Sequence, residues 1–328
     1  MHMADALISP AVGATFWVAS AAGIAYSAKK LKECSDEGRI PLMGVLAAFI
    51  FAAQMINFTI PGTGSSGHLG GGMILAILLG PWAGFLSMAS VLTVQALFFA
   101  DGGLLALGSN IFNLGVPTCF IAYPLIYRPL IGSNPSANRT LIVSLLAAVV
   151  GLQIGAFGVV LETVLSGISE LPLSTFVLAM QPIHLGIGIV EGLVTAAVVT
   201  FIYKARPDFI NSTEPVKTAA LTMKQVVVTL LAVALFTGGF LSWFASEYPD
   251  GLEWSMAKVS GQEELESPEH DIHASLGALQ EKTAILPDYG FKGGEGSKAG
   301  TSTAGVVGGF LTLTVVGGIA LLLRRKKG

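Results

Sequence analysis

The feature that most constrains this chain is a succession of long apolar runs separated by short loops that carry its basic residues. A helix needs about 20 apolar residues, rising about 1.5 Å each, to cross a hydrocarbon core about 30 Å thick. Candidate spans fall at roughly 10–28, 40–58, 70–80, 82–100, 104–127, 140–165, 173–203, 225–246 and 305–323. The third is short and ends at Gly80-Pro81, a pair that breaks helices. Residues 70–100 therefore read as a short helix, a tight turn and a full helix. The expected fold is an all-α polytopic membrane protein, a seven-span helical bundle followed by two further transmembrane helices.

Composition supports the same class. Only 12% of the 328 residues are charged and mean hydropathy is +0.71, whereas soluble domains carry about 25% charged residues. So few charges cannot cover a water-exposed surface. The 40 glycines suit closely packed membrane helices better than disorder, which needs low hydrophobicity. A soluble enzyme, a disulfide scaffold and a nucleic-acid partner are thereby disfavoured. The two cysteines, Cys34 and Cys119, are expected to be free thiols.

The positive-inside rule orients the spans. Of 18 basic residues, all but Lys258, Lys282, Lys292 and Lys298 fall on one side if the amino terminus is external and nine spans cross. Those four lie in the long loop 247–304, and long translocated loops largely escape the rule. The carboxyl terminus is then cytoplasmic. Residues 1–10 hold no Lys or Arg but include Asp5, so the first span reads as an anchor and not as a cleaved signal peptide. Three parts follow: seven spans with short loops at 1–206, a cytoplasmic linker at 207–224 and an accessory part at 225–328. The accessory part holds two helices around the acidic external loop 247–304, whose Gly/Ser-rich end is expected to be flexible.

Familiar catalytic motifs are missing. There is no G-x-x-x-x-G-K-[ST] and no H-E-x-x-H. Gly62-Thr63-Gly64-Ser65-Ser66-Gly67 matches G-x-G-x-x-G, but it follows an apolar helix and not the strand a dinucleotide site requires.

The histidines carry the chemistry. With His2 second in the chain, the Met1 amine, the His2 backbone nitrogen and the His2 Nδ1 can chelate one ion in a five- and a six-membered ring. Displacing an amide proton in a planar arrangement suits Ni(II) or Cu(II). A fourth in-plane donor is needed, and His68 supplies it from a glycine-rich loop on the same face. His184 and Glu191 lie seven apart in the seventh span, on roughly one helix face, and ionisable residues at that depth are functional candidates. His184 is expected to orient a ligand from the second layer around the ion, and Glu191 to serve coupling. Asn57, Gln95, Asn110 and Asn113 are polar groups near external span ends, placed either to bond the two histidines or to cap helices. His270 and His273 are expected in a solvated, disordered part of the acidic loop. A reading from a different class makes the chain an intramembrane metal-dependent enzyme using His184 and Glu191.

Met1-His2-Met3-Ala4-Asp5-Ala6-Leu7-Ile8-Ser9-Pro10 resembles the start of the cobalt/nickel permease subunits of the CbiM/NikM type. So do Asn57 through Thr63 running on to His68-Leu69, Leu107 through Asn113, and His184 through Leu193. Residues 225–328 resemble the fused NikN/CbiN-like accessory part, with Pro249-Asp250-Gly251-Leu252-Glu253 as the sequence that names the PDGLE domain. The resemblance implies Met1, His2 and His68 as metal ligands. It also implies Ni(II) or Co(II) as transported substrate with no resident cofactor, and no enzymatic activity in this chain. ATP hydrolysis would come from two cytoplasmic ATPase subunits, working through a transmembrane coupling subunit in a bacterial or archaeal cell membrane. The cobalt type links to cobalamin biosynthesis.

Overall fold

The computed structural model describes residues 2–34, 40–169, 171–207, 221–263, 265, 271–293 and 297–323. Met1, His270 and most of the linker expected at 207–224 lie outside the described residues, as does the side chain of Cys34. Cys119 is a buried free thiol.

Each expected apolar run is a helix. They are α1 (Pro10–Cys34), α2 (Ile40–Gln54), α3 (Gly72–Leu79), α4 (Pro81–Phe99), α5 (Leu107–Val116), α6 (Arg128–Ile131), α7 (Ala137–Ser166), α8 (Leu173–Ala205), α9 (Met223–Gly239) and, at the end, α12 (Lys298–Leu323). Between α5 and α6 the chain continues as a π-helix, Pro117–Tyr127, around the internal Pro124; the wider winding accommodates a residue that cannot donate an N–H. Six of these helical stretches are long and apolar enough to cross a membrane, and two shorter apolar ones, Leu42–Gln54 and Met223–Gly239, accompany them. The structure thus supports a polytopic bundle without fixing the number of crossings at nine.

Two departures from the expected pattern matter for the site. First, the fold is not purely helical: Phe58–Ile60 (β1) and Ser65–Gly67 (β2) form an antiparallel hairpin, with Thr59 opposite Ser66. The turn between them uses Gly62 and Gly64 at φ +77° and +73°, a conformation that glycine adopts without steric cost. Second, the acidic loop is folded. It contains α10 (Gly251–Ser260) and α11 (Asp271–Thr283). His273 is buried, with its Nε2 3.1 Å from the Ile8 carbonyl, so the disordered reading of this stretch is corrected. The Gly/Ser-rich end also orders earlier than expected, because α12 begins at Lys298.

Small residues set the helix packing. A Cβ on Gly192 would lie 2.6 Å from the Leu145 Cα of α7, and one on Gly188 would lie 3.0 Å from the Val149 Cα. The Gly188-x-x-x-Gly192 pair therefore brings α8 against the α7 backbone. In the accessory part, a Cβ on Gly305 of α12 would overlap the Gly238 carbonyl of α9, and one on Gly308 would overlap the Phe51 ring of α2. These contacts seat α9 and α12 on α2, so the tail is part of the same packed body.

Candidate metal centre

α3 has eight residues, about 12 Å of helix, against a core of about 30 Å. The chain from His68 to Gly71 therefore enters the bundle as non-helical backbone. Backbone groups at membrane depth must be satisfied by protein, and side chains from two helices do so, with a third supporting them. Glu191 of α8 accepts the Gly70 N–H on Oε2 at 2.8 Å and the Gly71 N–H on Oε1 at 3.1 Å. Gln54 of α2 donates to the Gly70 carbonyl at 2.8 Å, and Gln95 of α4 donates to Gln54 Oε1 at 2.9 Å. The glycines are required here: Gly71 has φ +78°, and a Cβ on Gly70 would lie 2.9 Å from Glu191 Oε2.

The amino-terminal segment is fixed with equal care. Met3 is fully buried. Its N–H donates to Asn110 Oδ1 at 2.8 Å, and its carbonyl accepts from Asn110 Nδ2 at 3.2 Å and from the Gly103 N–H at 2.9 Å. Asp5 accepts the Ala106 N–H at 2.9 Å. The result is that His2 and His68, far apart in sequence, stack with ring centroids 4.9 Å apart and planes 10° from parallel.

The tautomer of His68 follows from its neighbour. Its Nδ1 lies 3.1 Å from the Leu69 carbonyl, which can only accept, so Nδ1 carries the hydrogen and Nε2 the lone pair. That tautomer is neutral and able to ligate. His2 Nδ1 lies 2.9 Å from Asp101 Oδ1, and Tyr289 donates its hydroxyl to Asp101 Oδ2. Burial would raise the Asp101 carboxyl, but the His2 and Tyr289 contacts outweigh it and hold the group below the usual carboxylate range. Burial, and then the Asp101 charge, hold the Tyr289 phenol well above its usual range, so it stays a donor.

A cavity of about 520 Å³ opens beside these residues, lined among others by His2, His68, Asn57, Asp101, Asp250 and Tyr289. Among the described residues no three His, Cys, Asp or Glu side chains converge on one point. Met1, whose amine is the remaining expected ligand besides the His2 backbone nitrogen, lies outside them.

The other expected site residues divide by role. Asn57 lines the cavity, and its carbonyl accepts the Ser246 N–H at 2.7 Å. Gln95 bonds Gln54 and the Tyr289 hydroxyl, and not a histidine. Asn110 holds Met3 and so positions His2 from behind. Asn113 turns toward α7, where a Cβ on Gly158 would overlap its Oδ1. His184 is fully buried, its Nδ1 2.8 Å from the Met180 carbonyl of its own helix. It shares a small void with His68 and Asp250. The Glu191 carboxylate is committed to the Gly70 and Gly71 amides, so His184 and Glu191 do not act as one pair.

Sequence reasoning missed Asp101, Asp250 and Tyr289 as neighbours of the histidines. Asp101 carries a weak signal, a charge followed by two glycines at the end of an apolar run. Asp250 belongs to the PDGLE sequence, which itself has a structural reading. Asp250 caps α10, accepting the Leu252 and Glu253 N–H groups at 2.7 and 2.9 Å, while Glu253 returns a bond to the Asp250 N–H at 2.8 Å; this is a capping box. Gly251 lets α10 approach α8, since a Cβ there would lie 3.1 Å from His184 Cε1. Leu252 is buried. The Pro249 carbonyl accepts the Ser66 N–H at 2.8 Å on the hairpin that leads to His68.

Comparison with known proteins identifies the family. Residues 2–209 match the CbiM family, described as the cobalt uptake substrate-specific transmembrane region, and residues 224–325 match the PDGLE domain. A fused NikMN chain of Archaeoglobus fulgidus is 35% identical over 319 residues, 96% of each chain. The fused nickel transport protein NikMN of Rhodobacter capsulatus is 30% identical over 315 residues, 88% of each. Among solved structures, a truncated transition metal transporter superposes with a TM-score of 0.54 at 32% identity, covering 62% of this chain and 98% of the other. With the family match spanning well over half of the chain and a fused relative aligned along nearly its whole length, this protein belongs to the CbiM family and carries a PDGLE domain fused behind the family's transmembrane region.

Proposed function

We propose that this chain is the substrate-binding transmembrane component of an ATP-driven energy-coupling-factor importer, and that it captures Ni(II) or Co(II) from the extracytoplasmic side. The observation that carries this reading is the stacking of His2 on His68, centroids 4.9 Å apart, at a polar cavity beside the amino-terminal segment. The donors are the Met1 amine, the His2 amide nitrogen, His2 Nδ1 and His68, a planar four-nitrogen set. Loading the ion requires His2 Nδ1 to exchange Asp101 for the metal. The fused nickel transport relatives favour nickel over cobalt.

In this reading residues 1–206 form the binding domain and 225–328 an accessory domain that covers its outer face. The amino terminus is external and the carboxyl terminus cytoplasmic. A coupling subunit and two ATPases, as separate chains, supply the driving force. Enzymatic use of His184 and Glu191 is disfavoured, because a hydrolytic metal needs an open position with an activated water and the Glu191 carboxylate is spent on backbone amides. The test has two arms. Purified protein titrated with Ni(II) and Co(II) in competition should show Ni(II) preferred, with the absorption of a planar nitrogen site. Radiolabelled Ni(II) should enter cells only when the coupling and ATPase subunits are co-expressed. Uptake without them would make the chain a channel and sink the proposal.

A further inference from the structure

The carboxyl-terminal part reaches the metal centre in two places: Asp250 lines the cavity and the small void beside His68, and a chain of side-chain contacts, Tyr289 to Asp101, leads to His2. Asp101 belongs to the loop after α4, and Tyr289 to the short helical turn Pro287–Tyr289 that follows α11. The Tyr289 ring is held independently of its hydroxyl: it stacks on Phe99 with centroids 5.2 Å apart and lies edge-on to Phe51 at 6.0 Å. The backbone beside it is pinned as well, since the Ile285 and Leu286 N–H groups both donate to the Phe98 carbonyl. Tyr289 is thus a rigid donor aimed at Asp101 from the accessory domain.

Charge explains why a carboxylate stands there. A divalent ion bound with one deprotonated amide leaves one net positive charge in a buried site, and a buried charge without a counter-charge is strongly unfavourable. Asp101 is the carboxylate already in contact with His2. We propose that Asp101, oriented by the Tyr289 hydroxyl of the accessory domain, is the positioning residue and counter-charge of the metal centre: it presents the His2 imidazole in the empty site and balances the ion in the loaded one. The accessory domain thereby completes the binding site instead of only lying over it. The proposal rests on the four-nitrogen reading above.

The experiment uses full-length protein, Ni(II) titrations and absorption spectra. Asp101→Asn keeps the size of the side chain and removes the charge; it should weaken Ni(II) binding about 10–100-fold, because losing the counter-charge of a buried ion outweighs releasing His2 Nδ1 from its contact with Asp101. The planar-site spectrum should persist, because no nitrogen donor has changed. Tyr289→Phe keeps the ring stacking and removes the hydroxyl; it should weaken binding about tenfold with unchanged thermal stability. The double variant should bind no worse than Asp101→Asn alone, since both act through one group. Affinity unchanged in Asp101→Asn, or losses that multiply in the double variant, would overturn the proposal. If Asp101→Asn fails to fold, Tyr289→Phe decides: no change in its affinity also overturns it. Failure of the underlying reading looks different, because His2→Ala and His68→Ala would then retain Ni(II) binding.

Discussion

The two parts of the molecule solve opposite problems around the same cavity. The amino-terminal part brings non-helical backbone into the bundle and satisfies it with buried side chains: Glu191 and Gln54 for the Gly70–Gly71 stretch, Asn110 for Met3. The carboxyl-terminal part docks largely by offering side chains and amides to backbone carbonyls of the first. Trp254 donates to the Thr63 carbonyl, and Gln280 donates to those of Ala96 and Gly102. The first arrangement fixes atoms to within a hydrogen bond, as a ligand set demands. The second depends on the shape of the partner's backbone, as a cover demands. Tyr289 on Asp101 is where the cover becomes part of the site.

The largest expected effect tests whether the amino-terminal part holds the donors at all. An N-terminal tag, or acetylation, converts the Met1 amine into an amide and should abolish high-affinity Ni(II) binding while folding and insertion persist. A tag after Lys327 should be harmless. His2→Ala and His68→Ala should match the N-terminal tag. Equilibrium dialysis with radiolabelled Ni(II), alongside thermal unfolding, reads all four, and an extended protein binding with unchanged affinity and spectrum would remove the four-nitrogen site.

Next comes Glu191. Sequence position alone suggests that its loss would spare binding. Its bonds to the two amides that follow His68 imply otherwise. Glu191→Ala leaves two buried donors without their acceptor, at about 1–3 kcal/mol each, and should lower thermal stability and Ni(II) affinity together. Glu191→Gln, which retains one acceptor oxygen, should sit between. Wild-type affinity in a folded Glu191→Ala protein would show that the glycine stretch holds His68 without its clamp.

Removing residues 225–328 probes the cover. Read from the sequence, the flexible acidic loop should change affinity by less than tenfold, about 1.4 kcal/mol. The folded cap and the Tyr289–Asp101 contact raise the expected loss to about 10–100-fold, still short of abolition. Titration of the truncated protein decides between the two.

The smallest effect is expected at His184. A Cβ on Gly251 of the tail would lie 3.1 Å from its Cε1, and its Nδ1 is bonded within its own helix. His184→Ala should shift Ni(II) affinity by less than about tenfold, or 1.4 kcal/mol, but loosen α10, read as faster proteolysis of the loop 247–304 in intact membranes. A larger binding loss with no change in proteolysis would move His184 from the cover to the donor side of the comparison.

The sequence by itself determined the membrane class, the helical segments, the break at Gly80-Pro81 and the family, because apolar run length and glycine or proline punctuation act locally along the chain. It also singled out His2 and His68 as candidate ligands, since an imidazole and the backbone nitrogens beside it can close chelate rings before any folding occurs. It determined neither the helical order of the acidic loop nor the partners of Glu191 and Asp101. The Glu191 carboxylate finds its amides 120 residues away and Asp101 its phenol 188 residues away. No periodicity or spacing encodes which carboxylate meets which donor when the helices pack. That pairing is decided by close approaches such as Gly192 on Leu145 and Gly251 on His184, and these exist only in the tertiary structure.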